Sequence, residues 1–129
     1  MNFPQDLIYS EKDEWIKIEG NIATIGISDY AQNALSDIVY LEYAVSPGDA
    51  VSKGDILGTV ESVKAASDVY FPISGTIIEV NEDLLDEPEK VNSDPYGDAW
   101  TIKLELSNTD ELNALMDSVK YEAYVQERL

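Results

Sequence analysis

Few kinds of reactive side chain are present. The 129-residue chain has no cysteine and no histidine. That excludes disulfides, thiolate metal sites, thiol nucleophiles, Ser–His–Asp triads and imidazole metal sites. The usual general base at neutral pH is missing as well. Carboxylates, hydroxyls, seven lysines and one arginine remain, a set that argues against a self-sufficient enzyme. Among the lysines, Lys64 stands in the segment Glu61-Ser62-Val63-Lys64-Ala65, with Gly54 ten residues before it and Gly75 eleven after it. Turn glycines at near-equal spacing predict a hairpin with Lys64 at its tip, its ammonium in water and open to an enzyme that modifies the nitrogen. An arbitrary lysine is ordinarily a solvated surface charge, so spacing alone makes Lys64 a candidate and no more. Two weaker constellations compete with it. The acidic run Asn81 to Glu89 offers oxygen ligands for a hard cation, but it lacks the Asp-x-Asp-x-Asp-Gly spacing of an EF-hand loop and reads as solvated. Glu61 and Asp68 form a conceivable carboxylate pair for hydrolysis, yet nothing fixes their separation or supplies a substrate groove.

A lysine held at a hairpin tip needs strands behind it, and the hydropathy pattern supplies them. Ile16 and Ile18 alternate with polar residues, and so do Ala23, Ile25 and Ile27 beyond Gly20-Asn21, which predicts a hairpin. Ser28 is placed to cap a short helix over Asp29 to Leu35. Ile38 to Tyr43 reads as a strand buried on both faces. Pro47-Gly48-Asp49 and Gly54-Asp55 mark turns, Ile56 to Glu61 and Val69 to Phe71 read as strands, and Pro72 to Gly75 turns the chain into a strand over Thr76 to Val80. Asn81 to Tyr96, acidic and with two prolines, reads as a surface loop. Trp100, Ile102, Leu104 and Leu106 alternate as a last strand. Asn108 with Glu111 resembles a capping box, and Leu112, Leu115, Met116 and Val119 mark one face of a terminal helix. Tyr121, Tyr124 and Val125 either extend that helix or begin a second. Many short strands, Gly/Pro turns and a terminal helix predict a mainly β fold, a β-sandwich or flattened barrel capped by helix.

Composition narrows the partners. The chain is 44% apolar and 26% charged, and 8 basic against 26 acidic residues give a net charge of −18. Such a surface repels phosphate backbones and anionic lipid, so neither nucleic acid nor a membrane is an expected partner. It steers instead toward basic protein surfaces, or it keeps a small protein soluble. No apolar run approaches the ~20 residues needed to span a bilayer. Met1 to Ser10 has neither a signal-peptide core nor an arginine-rich transit composition, which predicts a cytoplasmic protein, or a mitochondrial matrix one if a presequence has been removed. With no long apolar stripe unassigned, a monomer is expected.

The order of motifs adds a resemblance. Gly48, Val51, Gly54, Asp55, Leu57, Glu61, Lys64, Ala65, Pro72 and Gly75 follow the lipoyl/biotinyl carrier pattern. Biotinyl domains place Met on each side of the modified lysine, whereas Val63 and Ala65 flank Lys64 here. Glu61-Ser62-Val63-Lys64-Ala65 resembles the glycine cleavage system H protein family. So do Tyr9 with Glu14-Trp15, Ala23 to Ile27, Asp29-Tyr30-Ala31, Asp37 to Tyr40, Ser67-Asp68-Val69, Glu79-Val80-Asn81, and Asp94 to Gly97 with Trp100.

The resemblance implies a single lipoyl-carrier domain over 1–129, with a lipoyl-like core at about 20–106 and a C-terminal helical segment at about 108–128. The implied fold is a flattened β-sandwich of the lipoyl-domain type (a barrel-sandwich hybrid) with short helices and a C-terminal helix. It implies lipoic acid in amide linkage to Lys64, and a non-catalytic carrier that receives an aminomethyl group from glycine decarboxylase. That group is passed to the tetrahydrofolate-dependent aminomethyltransferase, and dihydrolipoamide dehydrogenase reoxidises the dithiol. A lipoate ligase or a lipoyl/octanoyl transferase is the implied partner for attachment, with Glu61 as its recognition cue. Glu14, Ser67 and Asp68 match positions lining a cleft for the loaded arm. Two departures stand out: Asp13 replaces the family's usual His and adds charge near that cleft, and Gly97-Asp98-Ala99 replaces a Gly-Glu-Gly-like run. Two alternatives are a carrier serving mainly in lipoate relay to 2-oxoacid dehydrogenases, and a binding module that carries no lipoate.

Overall fold

A computed structural model describes all residues, Met1–Leu129. A two-residue strand β1 (Ile8–Tyr9), which hydropathy did not reveal, leads into the predicted hairpin of β2 (Glu14–Glu19) and β3 (Ile22–Ile27). Ile16 lies opposite Ile25 across that hairpin. Gly20 turns it at φ 64°, a backbone conformation that a Cβ disfavours. Gly26 is required for a different reason: a Cβ there would sit 2.3 Å from the Trp15 ring, so the glycine lets the indole lie flat against β3. The Ser28 hydroxyl accepts from Ala31 N and starts α1 (Asp29–Leu35) as expected. Next come β4 (Ile38–Tyr43), β5 (Ala50–Val51), β6 (Ile56–Ser62), β7 (Ala66–Tyr70) and β8 (Gly75–Val80). Two four-residue helices, α2 (Asp83–Asp86) and α3 (Lys90–Ser93), precede β9 (Ile102–Leu106), and α4 (Ser118–Arg128) closes the chain.

The strands form two antiparallel sheets, one in the order β1-β2-β3-β9-β8-β5 and the other in the order β4-β6-β7. Their apolar faces share one core: Ile16, Ile25 and Leu104 from the larger sheet join Leu41, Leu57 and Val60 from the smaller. This is the flattened β-sandwich with short helices and a C-terminal helix that the sequence predicted. A second, aromatic core of Leu7, Tyr9, Trp15, Tyr121 and Val125 fixes α4 against β1 and β2. Tyr9 and Tyr121 stack there with ring centroids 4.5 Å apart. No helix is long and apolar enough to cross a membrane.

Three local expectations are corrected. First, β4 is buried on one face only, with Ile38 and Leu41 inside and Val39, Tyr40 and Glu42 exposed. A register shift between Ile38 and Tyr40 against β6 marks a bulge, and the extra residue turns two successive side chains outward. Second, Asn81 to Tyr96 is more than a surface loop, because α2 and α3 each drive one apolar residue, Leu84 and Val91, into the main core. Its acidic residues face water and hide a period too short to read. Third, Leu112 to Val119 do not form one helical face, and of the two readings of Tyr121, Tyr124 and Val125 the separate second helix is the one that holds. A 3-10 helix spans Thr109–Ala114, and α4 starts afresh behind the Asp117 cap, leaving Val119 exposed. Asn108 caps Asp110 N, but no reciprocal box forms. The Glu111 carboxylate goes instead to Ser74, accepting from its N at 2.7 Å and its Oγ at 2.8 Å.

Candidate functional site: the Lys64 turn and its neighbouring cleft

β6 and β7 pair from Ile56 opposite Tyr70 to Glu61 opposite Ala66, and the chain reverses through Ser62 to Ala65. Lys64 is therefore at the tip, as the glycine spacing predicted. Ser62 builds the turn. Its hydroxyl accepts from Lys64 N at 3.1 Å and Ala65 N at 3.0 Å, while its own N donates to Ala65 O at 2.8 Å. Such a side-chain-braced turn holds the backbone still while the lysine points away. The Lys64 ammonium forms no ion pair and has one long contact, to the Ala34 carbonyl at 3.5 Å.

The turn leans on the corner between α1 and β4, where Val63 N donates to Asp37 O at 2.9 Å. That corner includes Ser36 at φ 63° and is held from outside by Asn92 on α3. The Asn92 Oδ1 accepts from Ile38 N at 2.8 Å, and its Nδ2 donates to Ser36 O at 2.9 Å and Gln32 Oε1 at 3.0 Å. Sequence reasoning missed Ser62 and Asn92. A serine two residues before a tip glycine or lysine is a usable turn signal, but nothing local marks an asparagine that acts 54 residues away.

Beside the turn is a cleft of about 210 Å³. Its lining brings Glu14, Ser67 and Asp68 together with Lys12, Asp13 and Leu35. Glu14 opens β2 and is buried at 3% exposure. Burial drives its carboxyl up to about 7, against the opposing hydrogen bond from Ser10 Oγ at 2.5 Å. The same carboxylate also borders a second hollow of about 190 Å³ on the side of Tyr70 and Leu115. Ser67 pairs with Val60 and so lies on the inward side of β7 at the cleft. Asp68 pairs with Thr59 on the outward face, and its Oδ1 accepts from Thr59 Oγ1 at 3.1 Å. Glu61 lines neither hollow; it is exposed on the same outward face as Asp68, opposite Tyr40 and Ala66.

Asp13 borders the cleft, but its charge is not free. Its carboxylate is held by both terminal nitrogens of Arg128 and by the Tyr121 hydroxyl at 2.9 Å. The guanidinium is also stacked between Tyr30 and Tyr124, 4.5 and 4.2 Å from their centroids. The added negative charge expected from sequence is thus balanced by the chain's one arginine. A larger hollow of about 270 Å³ at Asn81, Leu84 and Trp100 shares no residue with the Lys64 turn.

The hairpin thus holds Lys64 without an ion pair beside the cleft, and comparison with known proteins shows the family. The family model described as glycine cleavage H-protein matches residues 7–128. The chain belongs to the glycine cleavage H-protein family. The H protein of Carboxydothermus hydrogenoformans is 52% identical over 124 residues, covering 96% of this chain and 95% of that one. That of Acidobacterium capsulatum is 49% identical over 127 residues, covering 98% and 97%. The crystal structure of an H protein from Mycobacterium marinum superposes with a TM-score of 0.86 at 34% identity, covering 98% of this chain and all of that one. H-protein membership supports a lipoyl-carrier component of glycine cleavage rather than one of its catalysts, and it establishes the sandwich as the lipoyl-domain type.

Proposed function

We propose that Lys64 carries lipoic acid in amide linkage and that residues 1–129 act as one carrier domain. The chain accepts an aminomethyl group from glycine decarboxylase and presents it to the tetrahydrofolate-dependent aminomethyltransferase. Dihydrolipoamide dehydrogenase then restores the arm. The observation that carries the reading is the Lys64 amine, unpaired at the tip of a braced turn in Glu61-Ser62-Val63-Lys64-Ala65. The fit to lipoate is chemical: amide formation needs a reachable amine without a salt-bridge partner, and Lys64 supplies one. When bound, the cofactor supplies the dithiol chemistry that a chain without cysteine lacks.

The chain's own residues then have three tasks. Ser62 holds the Lys64 backbone and the Asp37 carbonyl holds that of Val63, so that the amine stays clear of the sheet. Glu14, near half ionisation at neutral pH, lies where an amine brought into the cleft gains a charge-assisted hydrogen bond, and Ser67 offers a hydroxyl beside it. The buried setting of Glu14 keeps water away from what rests there. Asp68 contributes at the cleft margin, and Glu61 faces the enzyme that attaches lipoate, a ligase or a lipoyl/octanoyl transferase.

Intact mass before and after incubation with lipoate, ATP and a lipoate ligase tests the reading. One added lipoyl group in the parent and none in Lys64→Ala is expected. No gain in the parent, with a control H protein modified in the same tube, refutes it. The modified chain should then support glycine/CO₂ exchange with the decarboxylase. Lipoylation without exchange would place the chain in lipoate relay instead.

A further inference from the structure

The β4 bulge has a consequence for how Lys64 is reached. Strand register places Tyr40, Glu42, Thr59, Glu61, Ala66 and Asp68 on the outward face of the three-stranded sheet. The bulge adds Val39 to that face instead of hiding it, and Val63 projects from the turn itself. Val39, Tyr40 and Val63 are 55%, 47% and 69% exposed. Val39 and Val63 line one shallow hollow with Glu61 and Lys64. Regular alternation would have put only one of the two bulge residues in water, so the irregularity creates an apolar patch at the one spot a modifying enzyme has to touch. Around it the charges have one sign. Glu42, Glu61 and Asp68 share the face, and register puts no cation on it apart from Lys64.

We propose that Val39, Tyr40 and Val63, rimmed by Glu42 and Glu61, form the docking surface for the enzyme that attaches lipoate to Lys64, a partner with an apolar contact and a basic rim. The inference rests on the carrier reading above. Charge complementarity argues for the basic rim, since three carboxylates without counter-ions repel any acidic partner. Reach argues for the attaching enzyme over the other partners. Amide formation brings the acyl carbon within bonding distance of Lys64 Nζ, so that enzyme must cover the surface beside the turn. Enzymes that act on the dithiol end of the arm meet it a full arm's length away.

Steady-state lipoylation of the full chain, with lipoate, ATP and a lipoate ligase, tests this with the chain as the varied substrate. Val39→Ser and Val63→Ser, each alone and combined, should raise the KM for the chain, by about tenfold in the combined variant, with kcat held. Glu42→Lys should raise KM and flatten its dependence on salt. Ile78→Ser removes another exposed apolar side chain, from the other sheet (45% exposed), and should leave KM unchanged. Because the altered side chains are in water, melting temperatures should match the parent. Val39→Ser/Val63→Ser chain driven to full lipoylation with excess ligase should support glycine/CO₂ exchange at the parent rate. An unchanged ligase KM overturns the proposal, and so does a loss confined to exchange, which would give the patch to the decarboxylase. A parent that takes up no lipoate overturns the carrier reading and this inference together, and the unmodified parent distinguishes that case from a failed dock.

Discussion

Glu14 shows how one carboxyl can be tuned by its place in the sheet. It is almost fully enclosed, and loss of water around the charged form outweighs the Ser10 hydrogen bond, lifting it to about 7. An unfolded chain releases that proton near pH 4.5. Between those values the folded state binds more protons than the unfolded one, so stability falls as pH rises from about 4.5 to 7 and stays lower above. Glu14→Gln keeps an acceptor for Ser10 and has no charge to bury. It should therefore be more stable than the parent at pH 8 by on the order of 3 kcal/mol, with the gap closing toward pH 4.5. Urea unfolding of both proteins at pH 5 and pH 8 measures this; a gap that is equal at the two values would show that Glu14 is not the buried acid described. The identity of Glu14 and Ser67 as candidates was legible from motif order. Their convergence in one cleft was implied by the family resemblance alone and by nothing in the local pattern, because they are 53 residues apart in the chain and meet only when β7 folds beside the start of β2.

Among the elements, α4 and α2 carry the largest differences between pattern and structure. α4 has one arginine, in its last turn, and that residue joins the helix to Asp13 while stacking between Tyr30 and Tyr124. Arg128→Ala loses the ion pair and both stacking contacts, a destabilisation of about 1–2 kcal/mol. Arg128→Lys keeps the charge but not the planar fork, so it should recover only part of the loss. Hydrogen exchange in α4 reads both, and protection as high in Arg128→Ala as in the parent would show that the aromatic core alone holds the helix. In α2, Leu84 is 1% exposed and its neighbour Leu85 is 42% exposed. Leu84→Ala should cost about 2–4 kcal/mol, while Leu85→Ala stays within about 0.5 kcal/mol. Denaturant midpoints of the pair decide whether the acidic segment is a packed part of the sandwich. Sequence alone misread it because a four-residue helix has room for a single inward side chain, too little for a 3.6-residue period to register.

At the scale of the whole molecule, the net charge of −18 surrounds a core built from both sheets. A field of that sign speeds encounter with basic partner surfaces and is screened by salt. The association rate of the lipoylated chain with glycine decarboxylase should fall several-fold between about 50 and 500 mM salt. Stopped-flow measurement checks it, and a salt-independent rate would assign the acidity to solubility alone. The sequence by itself determined the strands with clean period-two alternation, the α1 cap, the turn that lifts Lys64 and the carrier family. Each of these is written in near-neighbour residues, where side-chain period, glycine spacing and cap chemistry act locally. Only the tertiary structure decided the sidedness of β4, the inward turn of Leu84 and Val91, the break between the 3-10 helix and α4, and the pairing of Asp13 with Arg128. Those depend on what packs against each segment from far along the chain. A bulge, a buried residue in a short helix or a salt bridge across 115 positions leaves no periodic mark on the residues around it.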